Sequence, residues 1–259
     1  MTVDEAVRLL WEAWQQQRPA PEELRGQLTL DTAYRVQLGL LARHLAAGEQ
    51  QAGWKIGLTA EAVRRLYGSS EPVFGYLLQS RCFRSGHAFA HAAIPHPALE
   101  AELCFTLGRS LRGPGVTPAQ VLDAVASVAP ALEIVSLRGS LAADLPLGVA
   151  ENVSQWAYVV APAQAPYPRD LDLDAVAVEV RRNGKTVLRA RGAEALDNPL
   201  HALAWLANRL AAYGRALEAG QCVLTGSFIK PQPVAPGEHW EAHFTPLGSV
   251  AATFTATPS

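Results

Sequence analysis

Three glutamates are the residues of this chain best placed to do chemistry. Glu100 and Glu102 stand two apart in "LEAELCFTL", and Glu133 sits in the apolar run "APALEIVSL". A period of two puts Glu100 and Glu102 on one face of a strand. A water-facing strand would explain that pair. However, Cys104 and Thr106, which continue the face, are not typical solvent residues. Glu133 has no polar alternation around it, and a lone buried carboxylate is costly unless it is paired or bound to a metal. Three carboxylates without a cysteine set suit a hard divalent cation, Mg²⁺ or Mn²⁺, which takes oxygen ligands and keeps positions open for a substrate. His91 and His96 are the rival ligands nearby, but His96 precedes Pro97 and reads as a loop residue. Converging carboxylates would repel and raise one another's pKa, so a cation would also make the cluster tolerable near neutral pH.

One cation stands out in the same way. Lys55 is the only charge in "GWKIGL", a proton donor or acceptor or a partner for a substrate carboxylate. Ser227 and Lys230 follow the strand end "VLTG". The Gly226–Ser227 turn offers a backbone N–H and a hydroxyl to a carboxylate, and Lys230 offers a charge to a second one.

The elements that must position these groups follow from period and punctuation. Thr2 and Glu5 form a capping-box pattern, with Val7, Leu10, Trp11 and Trp14 following at helical spacing. A second helix is expected from about Asp31 to Ala47, carrying Tyr34, Leu38, Leu41 and Leu45 as one stripe. A third is expected from Thr59 to Gly68. From about residue 97 the period becomes two. Thr117-Pro118 opens a helix expected to end near Pro130. Asn183-Gly184 reads as a hairpin turn, and Asn198-Pro199 caps a helix carrying Leu200, Leu203, Ala207 and Leu210. "QCVLTGS", "HWEAHF" and "SVAATFT" are strands. The only notable loop-like stretch is "APAQAPYPRD" at 161–170. Strands and helices do not alternate strictly. The expectation is an α+β fold: a helical N-terminal subdomain over 1–70, then a mixed, largely antiparallel sheet core over 71–259.

Composition narrows the function classes. The 259 residues are 49% hydrophobic and 18% charged, with a net charge of −2 and both signs interspersed. Such a chain can build a sizeable core and offers no electrostatic reason to expect nucleic acid or a membrane surface as partner. Cys82, Cys104 and Cys222 are odd in number and far apart in the chain, and read as inert buried thiols. Asp4 and Glu5 stand where a secretion signal would be basic, and no run of about 18 apolar residues occurs. A cytoplasmic protein is expected.

The segments "GWKIGLT", "EPVFGYLL", "HPALEAELCFTLG", "VAPALEIV", "AENVS", "NPLHALAWLANRLAAYG" and "LTGSFIKPQPVAPGE" occur in this order over nearly the whole chain. Together they resemble the 2-keto-4-pentenoate hydratase and 4-oxalocrotonate decarboxylase family of the fumarylacetoacetate hydrolase superfamily. The resemblance implies a mixed-sheet core and Mg²⁺ or Mn²⁺ held by Glu100, Glu102 and Glu133, with Lys55 acting at a small 2-oxo acid substrate. It also implies a homo-oligomer working in aromatic or related catabolism. The "AENVS" segment usually reads A-D-N-A-S, so Glu151 replaces an Asp as a catalytic candidate and Ser154 is a substrate-binding candidate. Ala98 stands where a basic residue is common. Hydratases usually carry Asp at Val73 to help position water, and decarboxylases an apolar residue. "GSFIKP" is closer to hydratases of dicarboxylic substrates. The expectation is a metal-dependent lyase, a hydratase first and a 2-oxo-3-enedioate decarboxylase second. A C–C hydrolase is a further reading, for which His44 and Glu49 would have to form the water-activating pair. A non-catalytic binding protein on the same fold is the last, and the intact Glu100, Glu102, Glu133 and Lys55 argue against it.

Overall fold

The computed structural model of the chain describes residues 1–138, 140–163, 166–192 and 198–256. Residues 164 and 165 of the 161–170 loop lie outside that set.

Two helices form an outer layer. Helix α1 (Val3–Gln15) is capped by Thr2, whose hydroxyl accepts from Glu5 N, and it buries Ala6, Val7, Leu10 and Ala13. Trp14 instead stays 39% exposed and stacks on Trp11. Helix α2 (Leu30–Ala46) buries Ala33, Tyr34, Val36, Gln37, Leu40, Leu41 and His44. The expected stripe is thus partly displaced, with Leu45 at the surface. Gln37 Nε2 donates to the carbonyls of Phe74 and Val149, tying α2 to the sheet beneath.

The chain then becomes strand earlier than expected. Strand β1 (Gln51–Gly57) pairs with β2 (Val73–Leu78) in antiparallel and with β10 (Cys222–Ser227) in parallel. The expected division at residue 70 therefore runs between two hydrogen-bonded neighbours, and only 1–46 form a purely helical layer. Helix α3 (Glu61–Leu66) starts two residues after Thr59. Thr59 is not its cap but is buried beside Gly226, where its side chain fills the space a Cβ would need.

The larger sheet has eight strands. Its path runs β2, β1, β10, β5 (Pro97–Leu107), β6 (Val125–Ser136), β7 (Gln155–Val160) and β3 (Cys82–Arg84), with β11 (Gln232–Pro233) also on β5. Helix α4 (Pro118–Ala124) ends six residues before Pro130, which lies inside β6 opposite Leu103. A strand tolerates this proline because only its missing N–H is lost; its carbonyl still accepts from Ala161 N.

A five-stranded sheet packs on the first. Its order is β4 (His87–Ala90), β13 (Gly248–Thr255), β12 (His239–Thr245), β8 (Ala177–Arg182) and β9 (Lys185–Arg191). β12 and β13 bury alternate residues and lie against β6 and β7. Asn183 and Gly184 both take positive φ, as a two-residue hairpin turn requires. Helices α5 (Ser140–Ala143) and α6 (Leu145–Ala150) precede β7, and α7 (Pro199–Ala211) is capped by the Asn198 side chain. The fold is α+β with a mixed, mainly antiparallel sheet, as expected. No helix among the described residues is long and apolar enough to cross a membrane.

One clamp ties the β2 edge of the large sheet to the segment that leads into β7. Asn152 takes both polar groups of Tyr76 on the β2 edge: its Oδ1 accepts from Tyr76 N at 2.7 Å, and its Nδ2 donates to Tyr76 O at 3.0 Å. Asn152, Val153 and Ser154 all hold positive φ, at 61°, 52° and 59°. Such a run is costly, most of all for β-branched Val153, and persists only where packing enforces it. Gly75 leaves the room for it, since a Cβ there would sit 2.7 Å from Asn152 Oδ1. Asn152→Ala is expected to lower stability by about 2–3 kcal/mol, as two buried backbone groups lose their partner. The urea midpoint measures it, and an unchanged midpoint would show that the clamp contributes nothing.

Candidate metal centre

The antiparallel register of β5 and β6 sets Glu100 directly opposite Glu133. Glu102 follows two residues along the same face of β5. On β10 a bulge falls between Leu224, opposite Cys104, and Ser227, opposite Glu102. The extra residue turns the N–H of Gly226 inward, where it donates to Glu102 Oε2 at 3.0 Å. From β1, Lys55 reaches the same face, with Nζ 3.3 Å from Glu133 Oε1. Two carboxylates at period two and a third from an apolar run thus meet at one place with the lysine.

The electrostatics of this cluster are dominated by burial. Glu102, Glu133 and Lys55 are almost inaccessible to solvent. Burial, and then the charge of Glu133, push the Glu100 carboxyl up to about 7, with Lys55 pulling the other way. Burial and the neighbouring Glu133 and Glu100 push Glu102 well above the ordinary carboxylate range. Glu133 is also raised, burial outweighing the opposing Lys55. Lys55 is penalised most by its own burial, yet the three glutamates outweigh this and raise it. One ammonium does not balance three carboxylates. Although Lys55 forms a close ion pair with Glu133, neither Glu133 oxygen has an aligned hydrogen-bond donor.

Those orphaned oxygens are what a cation would satisfy. One oxygen from each glutamate lies within 4.8 Å of the other two, so a shared point exists no more than about 2.8 Å from each. Mg²⁺ and Ca²⁺ hold oxygen at roughly 2.0–2.6 Å, and a small inward movement of flexible side chains closes the difference. All three donors are hard oxygens, which fits such an ion. Among the described residues no other group of three or more His, Cys, Asp or Glu converges in this way. His91 contacts the Val234 carbonyl, and His96 is an exposed loop residue with φ 46°.

Around the lysine the site is tight and apolar. A Cβ on Gly57 would lie 3.7 Å from Lys55 Nζ, 3.4 Å from Val73 Cγ2 and 3.2 Å from Val153 Cγ1. Val73, fully buried, therefore forms a wall next to the Lys55 ammonium. Val153 belongs to this wall too, and sequence reasoning missed it; only its unusual backbone aims it there.

The remaining candidates lie elsewhere. The Ser227 hydroxyl is engaged within its own turn, donating to Ile229 O at 2.6 Å and accepting from Ile229 N at 3.2 Å. Lys230 is exposed. Glu151 and Ser154 line a separate cleft of about 90 Å³ between α1, α2, β2 and the start of β7. Neither Lys55 nor any of the three glutamates lines that cleft, so it and the carboxylate cluster are distinct places; the 151–154 segment touches both, through Val153 beside Gly57 and through Glu151 and Ser154 in the cleft. His44 also faces the cleft, packed edge-on against Trp11 and Trp14, while Glu49 accepts from the Ser80 hydroxyl. A His44–Glu49 pair for water activation is not formed. The three cysteines, distant in sequence, gather with Tyr158 in one small buried group on the inner face; Tyr158 Oη is 3.4 Å from Cys222 Sγ. All three are free thiols.

The chain is similar to known proteins over most of its length. Residues 57–255 match the family model described as fumarylacetoacetate (FAA) hydrolase C-terminal. The 2-keto-4-pentenoate hydratase of Paraburkholderia xenovorans (strain LB400) is 36% identical over 257 residues, covering 97% of this chain and 94% of that protein. The 4-oxalocrotonate decarboxylase of Pseudomonas sp. (strain CF600) is 34% identical over 228 residues, covering 88% of this chain and 86% of that one. Among solved structures, the 4-oxalocrotonate decarboxylase from Pseudomonas putida G7, complexed with magnesium and adipate, superposes with a TM-score of 0.91 at 29% identity, covering 98% of both chains. With the family model spanning most of its length and relatives of this similarity at both ends, the chain belongs to the fumarylacetoacetate hydrolase family.

Proposed function

We propose that this protein is a divalent-metal-dependent lyase acting on a 2-oxo acid or its 2-hydroxydienoate form, and that it works as a hydratase. The observation that carries the reading is the convergence of Glu100, Glu102 and Glu133 on one buried point beside Lys55. When bound there, Mg²⁺ or Mn²⁺ supplies stabilisation for the negative charge that develops on the 2-oxygen of the substrate.

The chain's own groups do the rest. Glu100, Glu102 and Glu133 hold the ion, and the Gly226 N–H keeps Glu102 aimed. Lys55, kept charged by the glutamates, holds a proton at Nζ and delivers it to the terminal carbon of the dienol; the 2-hydroxyl gives up its own proton, which restores the ammonium, and the dienol becomes an α,β-unsaturated ketone with no net change in protons. Water then adds across the remaining double bond, its oxygen to the carbon β to the ketone and a proton to the α carbon. Val73 and Val153 exclude bulk water from the lysine side. The relatives named hydratases, the first of them matched over nearly the full length, support this choice.

A second reading has its own observation. Val73 is a fully buried apolar residue next to Lys55, where hydratases of the family usually carry Asp. An apolar wall cannot orient water and favours a desolvated carboxylate leaving as carbon dioxide. The engaged Ser227 hydroxyl and exposed Lys230 weaken the loop argument for hydration. The two reactions share the metal and Lys55, and differ in whether water enters or carbon dioxide leaves at the far end of the substrate.

Three measurements test these assignments. Mg²⁺ or Mn²⁺ is expected to raise the melting temperature of metal-stripped protein and to show one saturable site by calorimetry. Glu102→Gln should lose both; retention of full affinity would remove the glutamates as ligands. Lys55→Met should still fold and bind metal while turnover falls on the order of 10²-fold or more, and unchanged turnover would reject its role. With Mg²⁺, the wild type should add water to a 2-hydroxydienoate. If it instead only releases carbon dioxide from a 2-oxo-3-enedioate, and gains hydration only in Val73→Asp, the decarboxylase reading replaces the first.

A further inference from the structure

The cleft beside the helical layer carries a charge imbalance that the catalytic reading does not use. Its lining holds three arginines, Arg18, Arg81 and Arg138, against one acid, Glu151. Arg81 is half-buried, and its guanidinium lies over the Trp156 ring at 4.4 Å. Among the described residues that ring is its partner, and no carboxylate forms an ion pair with it. Glu49, the nearest acid acting on it, is engaged by Ser80 instead. Arg138 is held by neutral acceptors only: its Nε donates to Ser136 Oγ and its Nη1 to the carbonyl of Arg18, both at 3.3 Å. Hydrocarbon side chains line the cleft as well, Leu10, Leu40 and Leu78 among them.

A half-buried guanidinium held in place by stacking and without a carboxylate in ion-pair contact is a group prepared for an anion. Burial already works against the charge on Arg81, so a bound anion would relieve a standing cost. The apolar wall selects what the anion is attached to. Phosphate alone would leave that wall wet, whereas a short aliphatic chain would cover it.

We propose that this cleft is a second ligand site, separate from the glutamate cluster, and that it binds a small aliphatic carboxylate between Arg81 and Arg138 with its chain against Leu40 and Leu78. The site is built by the N-terminal helices together with β2, β6 and β7, so the helical layer supplies a binding wall as well as a cover for the sheet. The proposal does not depend on the metal or on which lyase reaction the protein performs.

The test uses the whole chain, stripped of metal with a chelator, at fixed ionic strength, so that the glutamate cluster cannot hold the probe. Propionate and glutarate are titrated by calorimetry, with inorganic phosphate as the comparison anion. Saturable binding of a carboxylate, tighter than phosphate, is expected. Arg81→Met and Arg138→Gln should each weaken it about tenfold or more, the worth of one charge-assisted contact, while circular dichroism stays that of the wild type. Lys55→Met should bind the probes as the wild type does. Absence of saturable binding in the wild type, wild-type affinity retained in both arginine variants, or phosphate binding as tightly as glutarate would each overturn the proposal.

Discussion

Three carboxylates sharing a buried corner with a single ammonium is the interaction on which the rest of the structure depends. Removing such charges from water costs several kcal/mol each unless they are compensated. One ion pair at 3.3 Å and one backbone N–H are all the described chain provides. The fold therefore holds the cluster from several directions at once. β5 and β6 fix Glu100 against Glu133 by register, the β10 bulge brings an N–H to Glu102, and β1 supplies Lys55. The surplus negative charge is the property a divalent cation needs, and a well-satisfied carboxylate cluster would bind one poorly.

Close approach is the second demand, and small residues meet it. Gly226 leaves space for Thr59, and Gly75 leaves space for Asn152. Gly57 keeps the volume next to Lys55 open between Val73 and Val153. A methyl group at Gly75 would push on the amide that clasps the β2 edge, and through that edge on β1 and its lysine. The left-handed run at 152–154 is stored strain of the kind found where a loop must deliver side chains to a site.

Much of this was legible in the chain. The period of two around "LEAELCF" placed Glu100 and Glu102 on one face, and the lone charge in "ALEIV" marked Glu133, because burial leaves few reasons for a charge among apolar residues. The turn at Asn183-Gly184 and the cap at Asn198-Pro199 were equally plain, since their chemistry is local. What failed to show is non-local or overridden by tertiary context. "QAGWKIG" is short and lies between two helices, so nothing nearby announces a strand that exists by pairing with residues 222–224. Pro130 ends helices but is tolerated in β6, whose pairing continues around it. Thr59 has the chemistry of a cap but is taken by the space beside Gly226. Arg81, Arg138 and His44 are spread over nearly a hundred positions, and no spacing rule joins them into one cleft.

The site then divides into a part that defines the chemistry and a part that chooses among outcomes. On the proposed function, the glutamates and Lys55 would serve any reaction in which charge builds on the oxygen of a 2-oxo acid. They have no means to decide whether water adds or carbon dioxide leaves. That choice would fall to the groups lining the rest of the site, and Val73 and Val153 form an apolar wall beside the ammonium. A single carboxylate in that wall would orient water; its absence leaves water to be held by another group. Ser227 is engaged in its own turn, and Glu151 and Ser154 face the neighbouring cleft. On the proposed function, selectivity would then rest on the shape and dryness of the wall more than on a dedicated water ligand, and excluding water from an apolar wall discriminates by a few kcal/mol at most, far less than placing a charge there.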